Sequence, residues 1–222
     1  MSVAENLNKI KNNIPNHVTL IAVSKTKPIE EILEAYHAGQ RAFGENKIQE
    51  MAQKYEALPK DIEWHMIGHL QSNKVKYMAH FVHLIHGVDS FKTLKEINKQ
   101  ALKHHRIINC LLQIKIASEE TKFGISPENI ESFFNLEELK NLKNIHISGL
   151  MGMASFTDDE TVVKNEFKTL KSVFNSIQKY QSFNVNPKIL SMGMSGDYLT
   201  AIEEGSTMVR VGSAIFGERN YN

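Results

Sequence analysis

Lys25 ends the run Leu20-Ile21-Ala22-Val23-Ser24 and stands three residues before Pro28, which suits a first helical position. Four apolar residues in a row suit a parallel strand covered on both faces, and in such sheets the residues just past the strand ends face the ligand. An amine placed there becomes a nucleophile toward carbonyls once partial burial favours its neutral form. Two further stretches carry a different chemistry. Ser195-Gly196-Asp197 precedes a helical segment, and Val211-Gly212-Ser213 turns from a strand end into another. Both offer hydroxyls and backbone N–H groups of the kind that hold a phosphate. Arg210, on the last strand, adds a charge that stays on at any ordinary pH. Asn46, His65, Met151 and Ser191 also fall at strand ends. His65 suits either a satisfied core position or the lining of a pocket on the functional rim, and Asn46 either a helix cap or a ligand contact.

The elements that carry these residues alternate. Strands are predicted near residues 20, 42, 64, 85, 110, 148, 189 and 209, with helical periodicity between them. Ile32, Leu33 and Tyr36 mark one face of a helix over 29–38, and Leu94, Ile97, Ala101 and Leu102 are expected to point inward from a helix over 91–105. Val163, Phe167, Leu170, Phe174 and Ile177 mark a helix over 161–180, and a short helix is expected over 72–78. Eight β–α units imply a single (β/α)₈ TIM barrel spanning residues 1–222, with an extra N-terminal helix over 3–12 expected to cover its bottom. A doubly wound open sheet has similar local signals. The barrel is preferred because polar and glycine-rich clusters follow most strands, and a barrel gathers those ends on one face.

Closure of such a barrel pairs the eighth strand with the first, so the amine and the phosphate cup become neighbours. One ligand with both an aldehyde and a phosphate then fits, and pyridoxal 5′-phosphate (PLP) is such a ligand, with Lys25 forming the aldimine. Arg210 facing the pyridine nitrogen would keep that nitrogen unprotonated and weaken the ring as an electron sink, which suits holding the cofactor better than carbanion chemistry. Lys27 lies two residues beyond Lys25, but Pro28 indicates that the chain has already turned, so Lys27 is read as exposed or as a secondary amine near the entrance.

The stretches Ala22-Val23-Ser24-Lys25-Thr26-Lys27-Pro28, Phe43-Gly44-Glu45-Asn46, Trp64-His65-Met66-Ile67-Gly68, Leu70-Gln71-Ser72-Asn73-Lys74, Gly149-Leu150-Met151, Leu190-Ser191-Met192-Gly193-Met194-Ser195 and Gly205-Ser206-Thr207-Met208-Val209-Arg210-Val211-Gly212 resemble, in order, the YggS/PROSC family of PLP homeostasis proteins. His69 and Gly196 depart from that pattern, where many bacterial members carry proline and aspartate. The resemblance implies a barrel like the N-terminal domain of alanine racemase, PLP on Lys25, phosphate contacts from Ser195, Gly212 and Ser213, and Arg210 near the pyridine nitrogen. It also implies a role in managing cellular PLP without established turnover, with apo-enzymes or free amino acids as partners. The chain stops soon after the eighth unit, so the β domain that carries a second acid in racemases is expected to be missing. The alternatives are a PLP-dependent amino-acid racemase with Lys25 as its one base, and a phosphate-binding barrel in which Lys25 is a non-covalent base.

Composition narrows the partners. Lys plus Arg number 26 against 25 for Asp plus Glu, a net charge of +1 without a basic block, which argues against nucleic acid. The single cysteine, Cys110, rules out an internal disulfide and suits a reducing compartment and a core position. Residues 1–14 lack an apolar signal core, and no run approaches the roughly 18 apolar residues of a membrane span, so a cytoplasmic, monomeric protein is expected. His80, His83 and His86 recur every three residues, but 83 and 86 would point to opposite faces of a strand, and no metal is expected.

Overall fold

The structure is a computed structural model that describes residues 1–117 and 123–218. Its eight strands are β1 (Thr19–Val23), β2 (Ala42–Glu45), β3 (Glu63–Met66), β4 (Leu84–Val88), β5 (Ile108–Gln113), β6 (Ile145–Met151), β7 (Val185–Ser191) and β8 (Met208–Val211). All pair in parallel and close in sequence order into a TIM barrel. β1 meets β8 with Ile21 opposite Arg210 and Ala22 opposite Val211. That register sets the chain leaving Val23 toward Lys25 beside Gly212.

The helices are α1 (Val3–Asn12), α2 (Ile29–His37), α3 (Ile48–Ala57), α4 (Phe91–Lys103), α5 (Ile130–Phe134), α6 (Glu160–Ser176), α7 (Tyr198–Glu203) and α8 (Ser213–Phe216). Between β3 and β4 the expected short helix is a 3₁₀ segment, Ser72–Tyr77. Ser2 and Glu5 form a capping box that starts α1, and its buried Leu7 and Ile10 turn inward. α1 does not cover the bottom of the barrel. It packs on α2 and α8 along the β1–β8 seam, where Asn6 Nδ2 donates to Ile215 O at 3.1 Å.

The alternation of side chains along the strands divides the core into two layers. Phe43, Trp64, Met66 and Ile85 pack outward against helix residues such as Met51, Leu94, Ile97 and Phe167. Ile21, Ala42, Leu84, Leu111, Met151 and Met208 fill the barrel itself. Cys110 is buried in the outer layer, where burial pushes its thiol far above the usual range. Leu102 is exposed, contrary to the inward position its apolar character suggests. The buried stripe of α4 runs through Leu94, Ile97 and Ala101, and Leu102 lies one residue, about 100°, off that line.

Candidate functional site

At the C-terminal mouth the chain turns as soon as β1 ends. Lys27 N–H donates to Ser24 O at 3.0 Å, and Thr26 sits at φ 62°, an unusual region for a β-branched residue. A buried knot of charge holds this turn. Lys54 Nζ donates to Ser24 O at 2.8 Å, to Glu45 Oε1 at 2.8 Å and to Glu50 Oε1 at 2.7 Å. Ser24 Oγ–H donates to Glu45 Oε1 at 2.6 Å, and Thr26 N–H to Glu50 Oε1 at 2.5 Å. Lys25 is left half-buried at the mouth. Burial pushes the Glu45 carboxyl up to about 7, against the pull of the Lys54 ammonium. Sequence reasoning missed Glu45, Glu50 and Lys54 as parts of the site. The available signal was a lysine inside the apolar stripe of α3, three residues after Met51.

Lys27 is a tie, not a second amine at the entrance. Its Nζ donates to Phe216 O at 2.6 Å and Glu218 O at 3.2 Å and pairs with Glu31 at 3.5 Å. The first turn is thereby stapled to the segment after β8.

Across the seam, the loop after β7 folds back on β8. Gly193 adopts φ 100°, where an added Cβ would meet Ala201 Cβ at 2.7 Å, and Arg210 N–H donates to Gly193 O at 2.9 Å. This places Ser195 Oγ where it accepts from Gly212 N–H at 3.1 Å and Ala214 N–H at 3.5 Å. Ser195 and Gly212 are therefore together. Ser213 starts α8 and is exposed at the same edge.

Arg210 is 3% exposed. Its Nη1 donates to Ser191 Oγ at 2.6 Å and its Nη2 to Gly152 O at 3.1 Å, and no carboxylate bonds to it among the described residues. Burial lowers its pKa to about 10, with Asp197 pulling the other way, so the guanidinium stays charged at neutral pH. Ser191 Oγ also lies 3.1 Å from His86 Nδ1, and His86 Nε2 lies 3.0 Å from His65 Nδ1. Burial keeps both imidazoles neutral, His65 at about 3 and His86 well below its ordinary value. His65 thus stands a layer below the mouth and reaches Arg210 only through His86 and Ser191, unlike the rim position its sequence suggests. Spacing along the chain gives His86 no such place; pairing across strands does.

Asn46 follows β2 at the mouth, and its Oδ1 is buried without a hydrogen-bond partner among the described residues. Gly68 passes so close that a Cβ there would lie 2.4 Å from Asn46 O. Met151 ends β6 in the barrel-filling layer. The mouth therefore gathers a half-buried amine, a hydroxyl with two backbone donors, a buried guanidinium and an unmet amide oxygen.

Residues 1–220 match the family model described as "Alanine racemase, N-terminal domain". A curated relative named pyridoxal phosphate homeostasis protein, from Aquifex aeolicus, is 42% identical over 207 residues, covering 93% of this chain and 89% of its own. The solved structure of PipY from Synechococcus elongatus PCC7942 with PLP bound superposes with a TM-score of 0.86 at 34% identity, over 97% of this chain and 100% of that one. An alanine racemase of Clostridium difficile 630 shares the fold at 17% identity and a TM-score of 0.79, over 100% of this chain and 60% of its own. With a whole-length family match and relatives of this identity, the chain belongs to the alanine racemase N-terminal domain family and, within it, to the pyridoxal phosphate homeostasis proteins.

Proposed function

We propose that this chain binds PLP at the C-terminal mouth of its barrel and serves in the management of cellular PLP, holding it reversibly on Lys25 without sustained turnover. The observation that carries this reading is the β1–β8 register, which sets the Ser195–Gly212 cup and Arg210 beside the strand that leads to Lys25. The donor set fits the group. A phosphate suits the Ser195 hydroxyl with the N–H groups of Gly212, Ser213 and Ala214, and Arg210 offers a donor to a ring nitrogen. The unmet Asn46 Oδ1 awaits a donor or water.

When bound, PLP supplies an aldehyde for amines and, if its ring nitrogen is protonated, an electron sink. The chain's own residues restrain the second property. Arg210, charged and anchored on Ser191 and Gly152, donates a hydrogen bond but keeps its proton. Lys54, Glu45 and Glu50 fix the turn so that the Lys25 amine keeps one approach to the mouth. Apo-enzymes or free amino acids would draw PLP from this mouth.

The test is direct. Protein incubated with PLP should turn yellow, borohydride should fix the label on Lys25 by peptide mass spectrometry, and Lys25→Ala should take up none. A colourless product, or a label on another lysine, overturns the assignment. Steady racemisation of alanine above the rate of free PLP would overturn the absence of turnover.

A further inference from the structure

The opposite end of the barrel is open. There the starts of the strands surround a cavity of about 440 Å³, whose walls include Glu63, His65, His83, Asn109, His146 and Lys188. Glu63 and His65 stand two apart on β3 and so share a face. β3–β4 pairing puts His65 beside Leu84 and thereby brings His83 up to both. One ligand-type atom from each of Glu63, His65 and His83 lies within 4.8 Å of the others.

His65 supplies an independent observation. It is 2% exposed, its Nδ1 faces His86, and its Nε2, on the ring edge turned away from His86, has no hydrogen-bond partner among the described residues. A buried ring nitrogen with unmet bonding capacity beside two further donors is the arrangement of a ligand site.

We infer that Glu63, His65 and His83 bind a first-row divalent cation of the zinc class on the floor of the barrel. Two imidazoles and a carboxylate are the donor types zinc takes, with the fourth position left to water from the cavity. Ligands at about 2.1 Å from a tetrahedral ion lie about 3.4 Å apart, so the three groups must close somewhat, and the exposed side chains of Glu63 and His83 are free to rotate. His65 can ligate through Nε2 when its proton sits on Nδ1. His86 Nε2 then accepts that proton's hydrogen bond, and His86 Nδ1–H donates to Ser191 Oγ, which also accepts from Arg210. A hydrogen-bonded partner on the second ring nitrogen is what orients a metal-bound histidine. The Lys188 ammonium on the wall opposes a cation, but its flexible stem lets it swing toward solvent.

The inference does not rest on PLP binding, since the floor and the mouth are at opposite ends of the barrel. The test uses the untagged full chain and Zn²⁺ titrated against a chelating indicator. One saturable site per chain is expected. His83→Ala and Glu63→Gln, both at exposed positions, should each weaken it by at least about tenfold. The double variant His80→Ala/His104→Ala removes an exposed histidine pair away from the cavity, with ring centroids 5.7 Å apart, and should leave the site unchanged. Co²⁺ in place of Zn²⁺ should show the visible absorption of a four-coordinate ion in the wild type and lose it in His83→Ala. The inference is overturned if the wild type shows no saturable site, if neither His83→Ala nor Glu63→Gln weakens it, or if the His80/His104 variant abolishes it.

Discussion

Glu45 has no exposed surface and accepts from both Ser24 and Lys54, yet burial outweighs that pull and holds its carboxyl near 7. The folded chain then binds this proton more tightly than the unfolded one. Its stabilising contribution is complete below the ordinary carboxyl pKa of 4.5 and is lost as pH rises toward 7, by up to about 1.4 kcal/mol per pH unit. Urea unfolding of wild type and Glu45→Gln between pH 4 and 8 reads this: the wild type should lose stability relative to the variant as pH rises. The opposite slope would mean that Lys54 holds the carboxylate ionised. Ser191 raises a different question, because its hydroxyl, itself without exposed surface, accepts from Arg210 and faces the fully buried His86. Ser191→Ala leaves Arg210 Nη1 without its acceptor and His86 Nδ1 without its neighbour, each loss worth about 1–3 kcal/mol when buried. A fall in unfolding free energy within that range is expected. An unchanged value would show that another group replaces the hydroxyl.

At the scale of elements, apolar periodicity located all eight strands, since a strand buried on both faces must be apolar whatever it packs against. It also located the neighbourhood of Ser195 and Gly212, because strand order alone decides that the last loops meet the first. Three features were not legible. The place of α1 depends on a groove between α2 and α8 that no local pattern describes. The Glu45–Lys54 pair joins β2 to α3 across a distance set by packing. The His65–His83 contact depends on the β3–β4 register, whereas spacing along the chain pointed to His80, His83 and His86. Register also explains why the loop after β3 needs glycine. A Cβ at Gly68 would lie 2.4 Å from Asn46 O and 2.8 Å from Asn46 Cα, both backbone atoms that cannot rotate away. Gly68→Ala should therefore shift the loop after β2 and destabilise the protein by about 1–3 kcal/mol. Thermal unfolding checks the cost, and a variant as stable as wild type would show that the two loops separate freely.

The whole molecule is closed by contacts between its two ends. Thr19 to Ala22 pair with Met208 to Val211, Asn6 bonds to Ile215 O, and Lys27 bonds to Phe216 O, so residues 189 to 209 apart in the chain complete the barrel. Every other strand pair joins strands that follow one another in the chain, and the seam is therefore the joint whose closure costs most chain entropy. A ligand held by Lys25 on one side and by Ser195 and Gly212 on the other would bridge this same joint. Binding at 100 times the dissociation constant adds about 2.7 kcal/mol to the folded state, and where that free energy appears depends on which opening the ligand blocks. If the seam opens by itself, PLP should slow hydrogen exchange in β1 and β8 more than in β4 and β5, and Lys25→Ala should remove most of the difference. Deuterium uptake followed by mass spectrometry on peptides from each strand separates the cases. Equal slowing around the barrel would mean that it opens only as a unit and that the seam is no weaker than the other joints.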